Sequence, residues 1–282
     1  MNKSGIRFRS ATLPFAVCSL TFALALTSCS SRPANPRGRI VSLVPSVTEI
    51  IYALGQGRQL AGNTTFCNFP PAAESVYKVG DFSNPSVEKI ARLKPSLVFA
   101  TLPEQQATVE QLRRMGSKVF ISRPSDIDSM FREIKSIAQV LGAAATGDSL
   151  VAALKARLAR IPPPSVRPRV YVEISGQPLM TVGQGTFINE AIERAGGHNI
   201  FSDINKEYPV VTQEQVIQRD PEVVFILHPQ TNRTEFAQRL GWQNVSAVRQ
   251  NRIYDDLNPD LLFRSGPRLV EGIEKLAAEI GS

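Results

Sequence analysis

One stretch of the chain is written twice, and this repeat constrains the fold more than any other feature. The segment NPSVEKIARLKPSLVFA, which begins at Asn84, is matched by PVVTQEQVIQRDPEVVFIL, which begins at Pro209. The offset is constant, because 212 minus 86 and 221 minus 95 both give 126. Each copy predicts a short helix with a glutamate in its first turn, then a proline and an apolar strand. The repeat therefore predicts two halves built to one plan.

Strands and helices alternate on both sides of one helix that has no strand before it. This helix covers residues 148–161, and the following PPPSVRP ends it. The first helix opens at a capping box, Ser46–Glu49, and the last has a proline, Pro267, at its start. The predicted strands are 39–44, 96–100, 118–122, 169–174, 222–227 and 252–255, and the other predicted helices are 46–54, 104–115, 126–141, 186–195, 233–240 and 267–280. The predicted fold class is α/β, with two α/β lobes joined by a single long backbone helix.

The amino-terminal segment is typical of a secretory signal. Three basic residues precede an uncharged apolar run, which ends in the lipobox-like sequence LTSC at Cys29. This pattern predicts cleavage before Cys29, with lipid, palmitate included, on its thiol and on the new amino terminus. An ordinary secretory signal or an uncleaved anchor is the alternative. The predicted division is a signal peptide 1–28, a lipidated tether 29–38, an N-terminal lobe 39–145, a connecting helix 146–163 and a C-terminal lobe 164–282.

Charge and cysteine content limit the partners. Cleavage leaves 282 minus 28, or 254, residues, and it lowers the formal charge from +7 to +4 because Lys3, Arg7 and Arg9 are removed. A charge of +4 without a basic cluster does not indicate a nucleic-acid partner. Cys67 would be the only unmodified cysteine left, so we expect no internal disulfide.

Six segments together resemble a known family. They are RIVSLVPSVTEIIYALG, TTFCNFPP, VGDFSNPSVEKIARLKPSLVFA, AGGHNIF, VTQEQVIQRDPEVVFI and RSGPR, in this order from about Arg39 onward. The set resembles the substrate-binding proteins of ABC importers for vitamin B12 and iron siderophores. The resemblance implies a monomer without catalytic activity or cofactor, which holds ligand in a cleft between two rigid lobes. It also implies a location on the periplasmic or outer side of a bacterial membrane, with a permease and its ATPase as partners.

The repeated glutamates match a family feature. In the B12-binding members one surface glutamate on each lobe meets arginines of the permease, and Glu88 and Glu214 occupy the matching positions. Charges at the rim of an interface steer encounter and orientation. The alternative is that each glutamate only complements the dipole of its own helix.

Candidate ligand contacts lie in loops after predicted strands. A ligand cleft needs aromatic and apolar walls with a few polar groups, and an aromatic ring can pack on a flat corrinoid. Leu261 stands where the resemblance implies a further aromatic residue. Each aromatic could instead belong to a lobe core, and Cys67 could be a small buried residue. The predicted ligand-binding residues are Phe66, Cys67, Phe69, Phe82, Tyr208 and Arg264.

Arginines leave the ligand class open. Arg264 in a cleft would suit an anionic siderophore or the propionates of haem. Arg268 is interpreted as lying on a solvated helix face, and Trp242 as a core residue. The function predicted is capture of a corrinoid for an ABC importer, with a ferric siderophore or haem as the alternative ligand.

Other function classes have weaker support. Cys67 with His198 or His228 would be the only nucleophile–base pair of these residue types, and no local motif supports it. Two histidines are too few for the usual transition-metal sites. The acidic group Asp255, Asp256 and Asp260 is typical of solvated turns. A lipoprotein that acts only through protein partners is the third class.

Overall fold

The computed structural model describes Met1, residues 38–162 and residues 166–282. Apart from Met1, the predicted signal peptide, the predicted lipidation site Cys29 and the tether as far as residue 37 lie outside the described residues. The described residues 38–162 and 166–282 belong to one compact unit. Within the described part of the chain, no helix is long and apolar enough to cross a membrane.

The first sheet is wholly parallel. Successive side chains of its strands point to opposite faces and pack in two different apolar clusters. Ile40 and Phe99 lie in one cluster, and Val41 and Val98 lie in the other. Both faces are therefore covered, as parallel strands require. Its strands are β1 (Ile40–Ser42), β2 (Leu60–Asn63), β3 (Leu97–Ala100) and β4 (Val119–Ile121), in the order β2-β1-β3-β4 across the sheet.

The helices that accompany this sheet complete what we call the first lobe. They are α1 (Pro45–Ala53), α2 (Val87–Arg92), α3 (Gln106–Arg114) and α4 (Ile127–Val140). The capping-box prediction is wrong, because Val44 is the N-cap of α1 and no side chain caps the helix. Pro45 supplies a first residue with no N–H to satisfy. Glu49 instead binds two arginines, since a charged donor is a stronger partner than a backbone N–H.

The connecting helix, α5 (Ala144–Leu158), begins four residues before its predicted start. Asp148, which had the sequence signature of a helix start, lies inside the helix and pairs with Lys135 of α4 at 2.7 Å. Gly147 allows this close packing, because a Cβ atom there would overlap the Cβ of Ala138. Helices α4 and α5 therefore pack directly against each other.

The second sheet is mixed. Its central strand pairs in parallel with one longer later strand and, near its start, with a two-residue strand, whereas the strand after it runs antiparallel. Two of its short strands, Leu179–Thr181 and His198–Asn199, were not predicted, because two or three residues carry too little periodicity. The strands are β5 (Arg169–Gly176), β6 (Leu179–Thr181), β7 (His198–Asn199), β8 (Val223–Ile226) and β9 (Ile253–Tyr254), in the order β6-β5-β8-β9 with β7 also beside β5.

The helices that accompany this sheet complete the second lobe. Trp242 is fully buried and its ring centroid lies 4.5 Å from that of Phe236, which confirms the core interpretation. The last helix begins at Leu269 with Arg268 as its N-cap, so Pro267 precedes the helix rather than starting it. The helices are α6 (Phe187–Arg194), α7 (Gln213–Arg219), α8 (Arg233–Ala237), α9 (Ser246–Arg249), α10 (Asp260–Phe263) and α11 (Leu269–Ile280).

The lobes share one apolar core. A single buried cluster includes Val47 and Ile50 of the first lobe together with Val170 and Phe225 of the second. The connecting helix also reaches the closing helix, where Arg157 pairs with Glu274 at 2.5 Å. Two sheets linked by one helix agree with the predicted fold class, while the predicted domain boundaries stay predictions.

The repeated stretch forms equivalent elements in both lobes. The hydroxyl of Ser86 accepts the Lys89 N–H at 3.3 Å and caps α2, and the hydroxyl of Thr212 accepts the Gln215 N–H at 3.3 Å and caps α7. The following strands, β3 and β8, each pair in parallel with the first strand of their sheet. The prediction of two matching halves is confirmed at this level.

Candidate functional site

A cavity of about 650 Å³ lies between the two lobes. Its walls are loops that follow β1, β3 and β4 in the first lobe and segments around α6 and α10 in the second. Open α/β sheets bind ligands at the carboxyl ends of their strands, and the volume is in the range of small-molecule sites. The lining includes Phe66, Phe82, Glu104, Arg123, Phe187, Glu207, Tyr208, Asp260, Phe263 and Arg264.

Three predicted aromatic residues line this cavity. Phe66, Phe82 and Tyr208 come from different loops and from both lobes. Phe66 is 58% exposed and Tyr208 is 39% exposed, so much of their ring surface is open to an occupant. Exposed apolar surface in a groove is typical of a binding site.

Two further aromatic residues were missed by the sequence analysis. Phe187 starts α6, and Phe263 ends α10 with 45% of its surface exposed. Leu261, two residues before Phe263, is buried in the core. One helical turn therefore directs Leu261 inward and Phe263 toward the cavity. The neighbouring sequence FRSGPR was the available signal, because it had already drawn attention to Arg264.

Cys67 and Phe69 do not line the cavity, which corrects their prediction. The Cys67 thiol is fully buried, with Sγ 3.3 Å from Thr64 Oγ1 and 3.9 Å from the Ser42 carbonyl. It behaves as the small buried residue that was the alternative interpretation. The Phe69 ring instead packs beneath the Arg268 guanidinium, 3.7 Å from its carbon to the ring centroid.

A buried carboxylate organises the arginines. Glu49 Oε1 accepts hydrogen bonds from Arg264 at 3.0 Å and from Arg268 at 2.7 Å, and its Oε2 accepts a second bond from Arg268 at 2.9 Å. Arg264 also pairs with Asp260 at 2.6 Å and donates to the Phe66 carbonyl at 3.2 Å. The C-terminal segment of the second lobe is thereby fastened to α1 and to the loop that carries Phe66.

The interpretation of Arg268 as a solvated residue is wrong. Its side chain is 15% exposed and is held by Glu49 on one side and Phe69 on the other. Burial alone would lower the pKa of Arg268, but the hydrogen bonds and charge of Glu49 outweigh it and raise the pKa. The charge of Arg268 is therefore compensated by Glu49.

A half-buried lysine supports the loop that carries Phe66. Lys78 Nζ donates to Asn63 Oδ1 at 2.8 Å and to the carbonyls of Cys67 and Ala73 at 3.2 and 3.1 Å. Asn63 also donates to the Ala73 carbonyl at 2.9 Å. Burial lowers the pKa of Lys78, while the nearby Glu74 acts in the opposite direction. These bonds satisfy backbone groups that the loop leaves unpaired.

One amide connects three cavity loops. Gln105 is buried, and its Nε2 donates to the Leu43 carbonyl at 3.1 Å and the Phe82 carbonyl at 2.7 Å. Its Oε1 accepts the Thr101 N–H at 3.0 Å. The loops after β1 and β3 and the loop before α2 are therefore fixed relative to one another. Sequence analysis missed Gln105, because its partners are distant in the chain.

The charged side chains of the cavity lining have no excess of positive charge. Arg123 and Arg264 are the cations, and Glu104, Glu207 and Asp260 are the anions. Burial, followed by the charges of Glu207 and Glu104, raises the pKa of Tyr208. The phenol is therefore protonated at neutral pH and can donate a hydrogen bond.

The two repeated glutamates lie away from the cavity lining. Glu88 is exposed in the first turn of α2, and Glu214 is exposed in the first turn of α7. A hydrogen bond from its own backbone N–H and one from the Thr212 hydroxyl lower the pKa of Glu214. Both residues are exposed at the surface.

The structure does not assemble the alternative enzyme site. His228 contacts Glu173 at 3.0 Å in the second lobe, whereas His198 is exposed beside Glu193. Among the described residues, the Cys67 thiol is within hydrogen-bond distance of Thr64 and the Ser42 carbonyl and of neither histidine. Asp255 accepts the Arg233 N–H, and Asp260 pairs with Arg264. The described residues contain no group of three or more His, Cys, Asp or Glu side chains placed to hold a metal.

Similar proteins agree with this arrangement. The model of the periplasmic binding protein family matches residues 40–261. An uncharacterized ABC transporter substrate-binding lipoprotein of Bacillus subtilis, YvrC, is 34% identical over 253 residues, which cover 86% of this chain and 79% of YvrC.

Solved structures extend the similarity to the fold. The periplasmic vitamin B12 binding protein BtuF of Vibrio cholerae superimposes with a TM-score of 0.69 at 28% identity, over 86% of this chain and 96% of BtuF. The periplasmic heme-binding protein RhuT of Roseiflexus has a TM-score of 0.77 at 28% identity, over 86% of this chain and 97% of RhuT. The chain therefore belongs to the periplasmic binding protein family and is the substrate-binding protein of an ABC transporter, with the two-lobe α/β fold of that family.

Proposed function

We propose that this protein captures a corrinoid in the cavity between its lobes and delivers it to an ABC importer while anchored by lipid at Cys29. The observation that carries the ligand class is the combination of aromatic walls with arginines that are already compensated. Phe66, Phe82, Tyr208 and Phe263 offer ring surface from both lobes. A broad, flat, amide-fringed macrocycle suits such walls, because ring faces can pack on it.

The charges support the same ligand class. Arg264 is bound by Glu49 and Asp260, so an anionic ligand would have to compete with two carboxylates for it. A corrinoid carries amide groups, which can donate to the cavity carboxylates and accept from the Tyr208 phenol. The similarity to BtuF, described as a vitamin B12 binding protein, points the same way.

Haem or a ferric siderophore is the second candidate. Arg264 borders the cavity, and the heme-binding protein RhuT shares the fold over most of this chain. An anionic group of such a ligand would replace Glu49 or Asp260 as the partner of Arg264. The raised pKa of Tyr208 favours a neutral phenol over a phenolate that could ligate iron.

Calorimetric titration tests the ligand. The lipid-free mature protein, beginning at residue 32, is titrated with cyanocobalamin and in parallel with haemin. Saturable one-to-one binding of cyanocobalamin without turnover supports the proposal. Binding of haemin alone would replace the corrinoid by the second candidate. Absence of binding by either, confirmed by equilibrium dialysis, would favour a lipoprotein that acts through protein partners.

The proposed delivery step uses Glu88 and Glu214 as contacts for basic residues of the permease, one on each lobe. Their matched positions and their exposure support this role. The double variant Glu88→Arg, Glu214→Arg is expected to retain ligand affinity and to lose stimulation of ATP hydrolysis by the importer. Undiminished stimulation would remove the docking role. The lobes are proposed to span 39–145 and 164–282, with the helix 146–163 between them.

A further inference from the structure

The two docking helices are equivalent in position but differ in their local charge. Helices α2 and α7 occupy corresponding places in the two lobes, and the offset of 126 relates Glu88 to Glu214. The same offset relates Lys89 to Gln215 and Arg92 to Gln218. All four of these neighbouring residues are exposed. The first lobe therefore has two cations where the second lobe has two neutral amides.

In the first lobe, the docking glutamate is already paired. Arg92 donates to Glu88 Oε1 at 2.6 Å across one helical turn, and the two side chains are 73% and 74% exposed. A cation from a partner must displace Arg92 to take its place. It must also approach against the positive charge of Lys89, the residue after Glu88.

In the second lobe, the docking glutamate has no cationic partner. The groups that bind Glu214 are its own backbone N–H and the Thr212 hydroxyl, and no salt bridge to it occurs among the described residues. The next cation along α7 is Arg219, which is held by Asp203 at 2.7 and 2.9 Å and lies over the Phe201 ring. The negative charge of Glu214 is therefore free to attract a basic group from outside.

We propose that the lobes contribute unequally to docking, with Glu214 as the main contact and Arg92 as an internal competitor that weakens the contact at Glu88. This inference rests on the proposed docking role of the two glutamates. An exposed ion pair one turn apart is weak, so the competitor is expected to change the docking affinity by about two- to fourfold. A partner with equivalent basic patches would then bind the second lobe more tightly than the first.

The chain offers a matched exchange as the test. Arg92→Gln gives the first lobe the residue of the second, and Gln218→Arg gives the second lobe the competitor of the first. The full-length lipoprotein variants are titrated against the cognate importer, identified by ligand uptake and held in nanodiscs, with ATPase stimulation as the readout. Circular dichroism melts confirm that each variant is folded.

The expected result is tighter docking by Arg92→Gln and weaker docking by Gln218→Arg, each by about two- to fourfold at low salt. Both changes in docking affinity should become smaller at 0.5 M salt, because salt screens the interactions between exposed charges. Glu214→Gln should weaken docking more than Glu88→Gln.

Two outcomes separate this inference from the function on which it rests. If both glutamate variants weaken docking equally and the exchanged residues have no effect, the asymmetry is refuted while the docking role stands. If neither glutamate variant weakens docking, the docking role itself fails, and the inference fails with it.

Discussion

Two buried carboxylates, one in each lobe, use the same chemistry for different ends. Glu173 has no exposed surface and accepts hydrogen bonds from Arg239 at 2.6 and 2.7 Å, with His228 at 3.0 Å. All three groups belong to the second lobe. Glu49 lies in the first lobe, but its two arginines belong to the C-terminal segment of the second. The cluster around Glu173 therefore lies within one lobe, whereas the cluster around Glu49 joins the two lobes beside the cavity.

This difference separates stability from ligand recognition. The cluster around Glu173 fills the interior of one lobe, so its loss should destabilise that lobe without a specific effect on ligand affinity. The cluster around Glu49 holds Arg264, which borders the cavity and binds the Phe66 carbonyl. Its loss should therefore reduce both the stability of the fold and the affinity for ligand.

The largest effect is expected for Glu173→Gln. This change leaves the buried Arg239 guanidinium without its counter-charge, which should lower the free energy of unfolding by about 3–5 kcal/mol. Guanidinium chloride unfolding measures the loss, and ligand affinity should stay within about twofold. Glu271→Gln is the control, because the exposed pair of Glu271 with Lys275 is expected to contribute less than about 0.5 kcal/mol. A loss no larger than that of the control would contradict the assignment.

Glu49→Gln should destabilise less and weaken binding more. Arg264 keeps its contact with Asp260, so we expect the free energy of unfolding to fall by about 2–3 kcal/mol. Ligand affinity should fall at least tenfold, since Arg264 is no longer fixed against the Phe66 loop. Calorimetric titration of the folded variant measures this. Wild-type affinity in Glu49→Gln would show that the cluster has no part in shaping the cavity.

Phe66 and Phe69 allow a residue of the cavity lining to be compared with one that only stabilises the surrounding structure. Phe66 lines the cavity, whereas Phe69 packs under Arg268. Phe66→Ala should lower ligand affinity about tenfold, or ~1.4 kcal/mol, because an aromatic face is lost from the wall. Phe69→Ala should lower it less than about threefold and should instead reduce the melting temperature. Equal losses of affinity would mean that the loop acts as one unit.

The smallest effect concerns acid stability. Burial raises the pKa of Glu133 in the first lobe against hydrogen bonds from Ser122 and Arg123. Burial would also raise the pKa of Asp220 in the second lobe, but the hydrogen bonds of Ser246 contribute to a net lowering. The Glu133 carboxyl binds its proton more tightly in the fold, so its penalty at neutral pH disappears as pH falls through its raised pKa toward 4.5. Asp220 stabilises the fold above 3.8 and loses this contribution as pH falls through its lowered pKa.

Unfolding by urea over a pH series checks these signs. Glu133→Gln should be more stable than the wild type at neutral pH, because it removes the penalty of the buried carboxylate, and this gain should vanish in acid. Asp220→Asn should show a difference of the opposite sign, with a stability deficit at neutral pH that also vanishes in acid. Each difference is expected to be below about 1 kcal/mol, because the Asp220 side chain is 40% exposed. Identical pH profiles for both variants would contradict the opposite shifts.

Local features of the fold followed from the sequence. The short helices after Ser86 and Thr212 and the strands that follow them were predicted, because capping residues, prolines and β-branched runs act over a few positions. The capping box at Ser46–Glu49 failed for the opposite reason. The partners of Glu49 lie more than 200 residues away, and no local pattern announces them.

The site was predicted only in part for the same reason. Phe66, Phe82 and Tyr208 follow strands and could be placed at the cleft, whereas Phe263 depends on the direction of a one-turn helix. The supporting roles of Lys78 and Gln105 depend on carbonyl groups of distant loops. Glu173 carried an unused signal, since a charged residue within the apolar strand RVYVEIS must find a partner when buried.

The single amide of Gln105 has a consequence for how such proteins diversify. Because it fixes three loops through their backbone groups, the frame of the cavity does not depend on the side chains that the loops present. Rings such as Phe66 and Phe263 can be exchanged while the frame is retained. One scaffold can thus be adapted to planar macrocycles of different chemistry by replacing its facing side chains. To transfer ligand specificity from one relative to another, one should therefore exchange the aromatic side chains that face the cavity and retain the glutamine.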